Sequence, residues 1–189
     1  MTVGNKKLKK RQIIPILIIV GIIAFIVLPF ISWLITDESI TATSDAQFCV
    51  TCHSMGPFEK SHTADVHGGA NDHGIRATCA QCHLPHDSSF NYLYTKAETG
   101  IHDLWVENFG DPENIDWAAK HEYREEFVYD SGCLTCHTNL EKATMASNKA
   151  LIAHKPYFLG TTDDKCVTCH ENVGHTDLNK YLSEAKDEE

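Results

Sequence analysis

Four short segments hold the residue types with the most distinctive chemistry. Each has two cysteines three positions apart followed directly by a histidine, and the segments are 49–53, 79–83, 133–137 and 166–170. This C-x-x-C-H pattern is the attachment signature of c-type haem, in which both thiols bond to the porphyrin and the imidazole reaches the iron. The four copies use all eight cysteines: Cys49, Cys52, Cys79, Cys82, Cys133, Cys136, Cys166 and Cys169. Two zinc sites of four thiolates each would not explain the histidine that follows every second cysteine. We therefore predict four covalently bound haem c groups.

A haem that only transfers electrons needs two axial ligands, so each motif histidine needs a partner. The chain has eight histidines outside the motifs: His62, His67, His73, His86, His102, His121, His154 and His175. Met55 offers a thioether two residues after His53. The two are too close in sequence to bind opposite faces of one iron, so they would compete for the same face.

The charge of the chain is divided unevenly. Five of its 16 basic residues, Lys6, Lys7, Lys9, Lys10 and Arg11, precede the first acid, which leaves 11 basic against 26 acidic residues, a net charge of −15, in the rest. A nucleic-acid-binding protein would show a basic face, so we predict no nucleic-acid partner. The acidic surface could keep the domain soluble or steer it towards a partner with a basic docking patch.

Residues 13–35 form an uncharged apolar run. At about 1.5 Å per residue in a helix, such a run spans the roughly 30 Å of a bilayer core. The apolar region of a cleaved signal peptide is only about 7–15 residues long, so we predict an uncleaved anchor. By the positive-inside rule the basic flank, 1–12, stays in the cytoplasm. We predict a single-pass protein of the cytoplasmic (inner) membrane with its haem domain in the periplasm.

The remaining chain predicts a mostly α-helical fold with irregular loops. A polar tether, 36–48, leads to a compact multihaem cytochrome c domain, 49–189, of two dihaem halves at about 49–110 and 111–180. Apolar residues outside the anchor are sparse, so the haems themselves would fill the interior. We predict helices at 58–66, 91–109, 114–129 and 140–157, with Ile115, Ala118 and Ala119 facing inward. On the second of these, Lys96 and Asp103 lie seven residues apart and share a face.

The chain resembles the NapC/NirT/NrfH family of membrane-anchored tetrahaem quinol dehydrogenases. The likeness covers nearly the whole chain and rests on the anchor, the two pairs of haem motifs and a first motif that reads C-x-x-C-H-x-M. It also rests on a lysine and an aspartate seven residues apart after the second motif, here Lys96 and Asp103. The resemblance implies that Met55, not His53, ligates the first haem. It also implies that Lys96 and Asp103 form a quinol site beside that haem.

The resemblance further implies which histidines complete the other haems. The motif ligands would be His83, His137 and His170. It implies that His175 caps the third haem and His67 the fourth, and either His154 or His86 could cap the second.

These features together predict a function in anaerobic respiration. The protein would act as a quinol dehydrogenase that oxidises menaquinol or ubiquinol from the membrane pool. It would pass electrons to a periplasmic terminal reductase, with a nitrite reductase favoured. The alternatives are a plain electron shuttle without quinol chemistry, a small-molecule haem enzyme and a haem-based sensor. The C-x-x-C-K motif of one class of haem enzyme is absent from the sequence, and no signalling domain follows the last haem motif.

Overall fold

The computed structural model describes residues 10–187, together with their side chains except those of residues 10–12 and 53. Lys6, Lys7 and Lys9 of the basic flank lie outside this part, so the prediction about the flank is not addressed by it. Within residues 10–187 the chain forms helices, short 3₁₀ turns and loops, with no strand, which confirms the predicted fold class. The α-helices are α1 Lys10–Ala42, α2 Ala46–Cys49, α3 Gly56–Ala64, α4 Cys79–His83, α5 Ser89–Phe109, α6 Trp117–His121, α7 Asp130–Cys136, α8 Leu140–Thr144, α9 Asn148–Phe158, α10 Cys166–Cys169 and α11 Leu178–Asp187. The 3₁₀ turns are His53–Met55, Val66–Gly68, Pro112–Asn114 and Arg124–Glu126.

The chain divides into two units, one ending at Thr43 and the other beginning at Ser44. The first unit is helix α1, whose segment Ile13–Ala42 is, among the described helices, the one long and apolar enough to cross a bilayer. The residues predicted as a polar tether remain helical as far as Ala42. Two hydroxyl groups in this part donate to carbonyls one turn earlier: Thr36 Oγ1 to Ser32 at 2.9 Å and Ser39 Oγ to Ile35 at 2.6 Å.

Helix α5 is the longest helix of the second unit. Its first turn is capped by the Ser88 hydroxyl, which accepts a hydrogen bond from the backbone N–H of Asn91. Thr95 is buried, whereas Ile101, about 120° away around the helix axis, is 69% exposed. The predicted helix over 91–109 is therefore present, and it begins two residues earlier at Ser89.

Two predicted helices are broken in the structure. Residues 114–129 contain only the short helix α6 and the turn Arg124–Glu126, and Ala118 and Ala119 are exposed rather than inward. Arg124 is instead used in tertiary bonds, donating from Nε to the Val167 carbonyl at 2.7 Å and from Nη2 to the Thr168 carbonyl at 2.9 Å.

The other broken prediction is 140–157, which forms two helices, α8 and α9. The Ser147 hydroxyl accepts a hydrogen bond from the backbone N–H of Ala150 and so caps the start of α9. Helix α8 therefore does not continue into α9. Serine side chains favour such caps over helix interiors, which the apolar periodicity of this segment did not reveal.

The second unit has a thin apolar interior. Among the described residues the buried apolar side chains are Ala46, Ala80, Leu84, Val167, Leu178 and Leu182. Alanine and valine contribute little apolar area, so this set would be a weak core for a domain of this size. The sparse core fits the prediction that haem groups fill the interior.

Gly132 allows α4 and α7, which carry the second and third haem motifs, to approach closely. A Cβ atom at this position would lie 2.0 Å from the Gln81 carbonyl oxygen. The same approach lets the N–H of Tyr129 donate to the Cys82 carbonyl at 3.1 Å. A side chain at position 132 would force the two haem motifs apart.

We predict that Gly132→Ala lowers the free energy of unfolding of the haem-loaded protein by about 1–3 kcal/mol, the usual cost of overpacking. The matched control is Gly100→Ala in α5, where a Cβ atom meets nothing within 4 Å. Removing a glycine from a helix interior should stabilise the protein by up to about 1 kcal/mol. Chemical denaturation followed by circular dichroism measures both changes. Equal unfolding midpoints for the two variants would show that the approach at Gly132 is not tight.

Candidate functional site

The motif cysteines lie close together in pairs. All eight are free of disulfide bonds. The Cys49 thiol is hydrogen-bonded to the Cys79 thiol, which lowers the pKa of Cys49 to about 7 and raises that of Cys79. The Cys133 thiol is bonded in the same way to Cys166. Thioether sulfurs do not titrate, so in a haem-loaded chain these shifts report only proximity. The first motif therefore lies beside the second, and the third beside the fourth.

A further contact links these two pairs. Burial, together with the nearby thiols of Cys133 and Cys136, raises the pKa of Cys82 to about 11. Cys82 belongs to the second motif and the other two to the third, so these motifs adjoin at the approach that Gly132 permits. The motifs thus follow one another in space in the same order as in the chain.

The motif histidines of the second, third and fourth segments each face another histidine. Their ring centroids are separated as follows: His83 from His175 by 6.1 Å, His137 from His67 by 6.3 Å and His170 from His154 by 6.0 Å. Two imidazoles that bind one metal ion from opposite sides at about 2.0–2.1 Å would have centroids about 6 Å apart. The spacing of all three pairs suits a metal held between the two rings.

Three of the paired histidines differ from the unpaired histidines in the ring nitrogen that forms a hydrogen bond. His83, His67 and His154 use Nδ1, which bonds to the Phe127 carbonyl at 2.9 Å, to Asp65 Oδ1 at 3.0 Å and to the Ala150 carbonyl at 2.8 Å, respectively. Metal-binding histidines characteristically bond through one nitrogen in this way, which leaves the other nitrogen for the metal. These three rings therefore have Nε2 available.

Three other histidines have Nε2 already bonded to a carbonyl oxygen. The acceptors are Ala77 for His62 at 3.0 Å, Ala80 for His86 at 3.2 Å and Glu171 for His121 at 3.0 Å. His62 also lies 6.0 Å from His175, but its Nδ1 bonds to the Gly174 carbonyl as well, so neither of its nitrogens is available. These rings brace the backbone.

The predicted haem partners of three histidines therefore change. His175 faces the second motif rather than the third, and His67 faces the third rather than the fourth. His154 faces the fourth motif, and His86 packs against Tyr92 at 5.3 Å instead of facing a motif histidine. The difference arises because α11, which follows His175, packs on α3 and returns the end of the chain to the first half.

His175 is buried in a way that suits a metal ligand. Burial, together with the nearby rings of His83 and His62, lowers its pKa to about 4. Its Nδ1 is the one buried side-chain polar atom without a hydrogen-bond partner among the described residues. An uncharged imidazole is the form that binds iron, and burial favours that form. The residues present at this position therefore fit a haem.

Asp65 positions His67 and was not identified from the sequence. Its buried carboxylate accepts from the N–H of His67 at 2.7 Å, bonds to the imidazole at Nδ1, and accepts from the Thr176 hydroxyl at 2.7 Å. Burial raises the pKa of Asp65, but these hydrogen bonds lower it more. The local signal was an aspartate two residues before a histidine, which is the spacing of a side-chain cap on a tight turn. The bond to Thr176 could not be read from the sequence.

The first motif differs from the others. Its motif histidine is His53, whose side chain is outside the described part of the structure. Met55 ends the 3₁₀ turn that follows Cys52, where its N–H donates to the Cys52 carbonyl at 3.1 Å, and its side chain is half-buried. The choice between Met55 and His53 at this motif remains a prediction.

Helix α5 places charged side chains beside the first motif. Lys96 Nζ donates to Ser44 Oγ at 3.1 Å, and burial lowers the pKa of Lys96. Both Lys96 and Asp103 act electrostatically on the Cys49 thiol, the amine lowering its pKa and the carboxylate raising it. Glu107, one turn beyond Asp103, accepts from the Ser54 hydroxyl at 2.9 Å. One cation and two carboxylates therefore line the side of α5 that faces the first motif.

Comparison with known proteins identifies relatives across most of the chain. Residues 8–180 match a family model described as the NapC/NirT cytochrome c family, N-terminal region. The chain is 28% identical to the tetraheme c-type cytochrome CymA of Shewanella oneidensis over 84% of this chain and 88% of that protein. It is 29% identical to the denitrification system component NirT of Stutzerimonas stutzeri over 84% of this chain and 80% of that protein.

A longer relative matches over part of its length. The cytochrome c-type protein TorY of Escherichia coli O157:H7 is 32% identical over 76% of this chain, which spans only 40% of TorY. Among solved structures, the chain resembles a component of the cytochrome c nitrite reductase NrfHA complex bound to the HQNO inhibitor. That match has a TM-score of 0.52 and 27% identity, and it covers 82% of this chain and 90% of the other.

Proposed function

Because the chain belongs to the NapC/NirT cytochrome c family, we propose that it oxidises quinol at its first haem motif and passes the electrons to a periplasmic terminal reductase. The membership makes it a multihaem c-type cytochrome of respiratory electron transfer with covalently bound haem c. Helix α1 is its single-pass membrane anchor. The quinol substrate and the reductase partner are the proposed part.

The observation that carries the proposal is the placement of Lys96 and Asp103 beside Cys49. Both side chains act on the Cys49 sulfur from the same helix. The motif they adjoin begins seven residues after α1 ends at Ala42, so the chain itself keeps it near the membrane. A lipid-soluble reductant therefore has a short route to this motif.

Quinol oxidation releases two protons and two electrons, and side chains of α5 can bind the quinol and accept its protons. Haem c, when bound, accepts one electron at a time. The Lys96 amine, held by Ser44, binds and orients one quinol hydroxyl oxygen. The exposed Asp103 carboxylate accepts a proton and can release it to water. Glu107 offers a second carboxylate one turn further along the same side of the helix.

We assign the axial ligands of three haems from the paired rings. His83 with His175 would hold the second haem, His137 with His67 the third, and His170 with His154 the fourth. Two imidazoles on each iron suit electron transfer rather than substrate binding. Met55 would ligate the first haem, whose attachment residue Cys49 lies near Lys96.

The proposed orientation follows from charge. The basic flank, 1–12, stays in the cytoplasm by the positive-inside rule, and the haem unit lies in the periplasm. The quinol pool of the cytoplasmic membrane is then the electron source, with menaquinol and ubiquinol as its candidate members.

We predict that Met55→Leu changes the spectrum of one haem and lowers its reduction potential, because a thioether ligand favours ferrous iron. Met145→Leu is the matched control, since Met145 is 59% exposed and distant in sequence from every motif except the third. A redox titration monitored by visible absorption separates the outcomes. Identical titration curves for the Met55→Leu variant and the unmodified protein would leave His53 as the ligand.

For the partner we favour a nitrite reductase, because the solved relative is a component of a cytochrome c nitrite reductase complex. The test mixes the quinol-reduced protein with purified cytochrome c nitrite reductase and nitrite, and follows haem reoxidation. We expect rapid reoxidation that requires both additions. Reoxidation by a nitrate or N-oxide reductase, with none by the nitrite reductase, would assign a different partner and leave quinol oxidation intact.

The inhibitor HQNO tests the quinol site separately. We expect it to block reduction of the haems by quinol and to leave their reduction by dithionite unchanged, since dithionite needs no binding site. If HQNO left the reduction by quinol as fast as it leaves the reduction by dithionite, the result would count against a quinol site in this protein.

A further inference from the structure

Helix α5 has an exposed apolar face, separate from the side that carries Lys96 and Asp103. Along this face lie seven uncharged residues, six of them with large side chains: Phe90, Leu93, Tyr94, Ala97, Ile101, Leu104 and Trp105. The large side chains of this set are 44–80% exposed. We call this set the α5 apolar face. Exposed apolar surfaces of this kind mark interaction sites, because single scattered residues, not continuous stripes, are usual on a free surface.

The α5 apolar face points away from the first haem motif. At about 100° per residue, Ile101 is rotated about 140° from Lys96 and about 160° from Asp103 around the helix axis. Lys96 and Asp103 are the residues that act on the Cys49 sulfur. The Cys49 sulfur, to which the first haem would be attached, therefore lies on the side of α5 away from this face.

We propose that the α5 apolar face inserts into the headgroup boundary of the bilayer that holds α1, so that the haem unit has a membrane contact of its own. This inference needs the anchor but not quinol oxidation. Helix α1 ends at Ala42 and the haem unit begins at Ser44, so the chain tethers the unit to the anchor. Such tethering gives a weak apolar contact a high effective concentration.

The composition of the face suits lipid. Tryptophan, tyrosine and phenylalanine prefer the membrane interface, and Trp105, Tyr94 and Phe90 lie along one side of the helix. Glu98 and His102 border the face, and no charge lies within it. The polar side of α5 carries more acids than bases, so the contact is apolar and does not need anionic lipid. A basic reductase patch would find no complementary charge on this face.

The test uses the full haem-loaded protein in nanodiscs of phosphatidylcholine, a fraction of which carries a diazirine in the acyl chain. Ultraviolet light attaches the lipid to contacting residues, and mass spectrometry locates the adducts. We expect adducts on α5 at Ile101 and Trp105 at least tenfold above those on α9 at Ile152. Ile152 is the matched control because it is 72% exposed, against 69% for Ile101, on another helix.

A charge variant sharpens the test. Ile101→Glu should lower the lipid adducts on α5 at least fivefold, whereas Ile152→Glu should leave them unchanged. The inference is overturned if α5 is labelled no more than α9. It is also overturned if adducts join α5 of two copies in place of lipid, or if addition of a reductase abolishes the labelling of α5. A protein labelled on α5 but inert towards quinol would uphold this inference and reject the proposed function.

Discussion

The variant Lys96→Gln reduces its haems with quinol about 100-fold more slowly than the unmodified protein, if the amine binds and orients the quinol as proposed. Removing one positioned acid–base group typically costs about 10²–10⁴-fold in rate. Glutamine keeps most of the side-chain length but removes the charge beside Cys49. Stopped-flow absorption spectroscopy of the protein in lipid vesicles, mixed with a reduced quinol, measures the rate.

Two controls separate this effect from damage to the haem chain. Reduction of Lys96→Gln by dithionite should match that of the unmodified protein, because dithionite needs no quinol site. The matched variant Lys120→Gln replaces an exposed lysine on α6 and should keep the full quinol rate. A quinol rate for Lys96→Gln within twofold of the unmodified protein would remove Lys96 from the site.

The variant His154→Ala loses one low-spin ferric haem signal and gains a high-spin one, because His154 is the ring that faces His170 at 6.0 Å. Its Nδ1 bond to Ala150 leaves Nε2 for the iron. Removing a strong axial ligand leaves the iron with one protein ligand and an open position. Electron paramagnetic resonance of the oxidised protein counts the two kinds of haem.

His86→Ala is the matched control for this experiment. The sequence offered His86 and His154 equally for one haem, but in the structure the Nε2 of His86 is bonded to the Ala80 carbonyl. We expect the low-spin count to be unchanged in His86→Ala. Loss of a low-spin signal in His86→Ala, with none in His154→Ala, would reverse the assignment.

The sequence predicted the chemistry of the chain better than its tertiary pairing. The C-x-x-C-H motifs identify the haem attachment sites because two covalent bonds and one ligand must come from adjacent residues. The anchor and α5 could also be predicted from the sequence, since both are long segments with a clear periodicity or composition. Each of these features is local in the chain.

The pairs of facing histidine rings could not be predicted because they depend on packing between distant segments. His175 faces the second motif, and Ser61 in α3 donates to the carbonyl of the next residue, Thr176, at 2.9 Å. His67 faces the third motif because Asp65, itself held by Thr176, fixes the imidazole. Similarly, the sequence predicted one helix over residues 114–129. In the structure, Arg124 within this segment donates to the Val167 carbonyl in α10. Tertiary bonds of this kind leave no periodic signal in a single sequence.

In the proposed function, this haem unit takes electrons directly from quinol. The most direct measurement is stopped-flow spectroscopy of the unmodified full-length protein in lipid vesicles after mixing with reduced menaquinone or ubiquinone, with no other protein present. The account predicts that at least one of the two quinols reduces the haems, and that HQNO prevents this reduction. Haems that stay oxidised with both quinols, while dithionite reduces them fully, would contradict the account and leave the chain as an electron shuttle between other redox proteins.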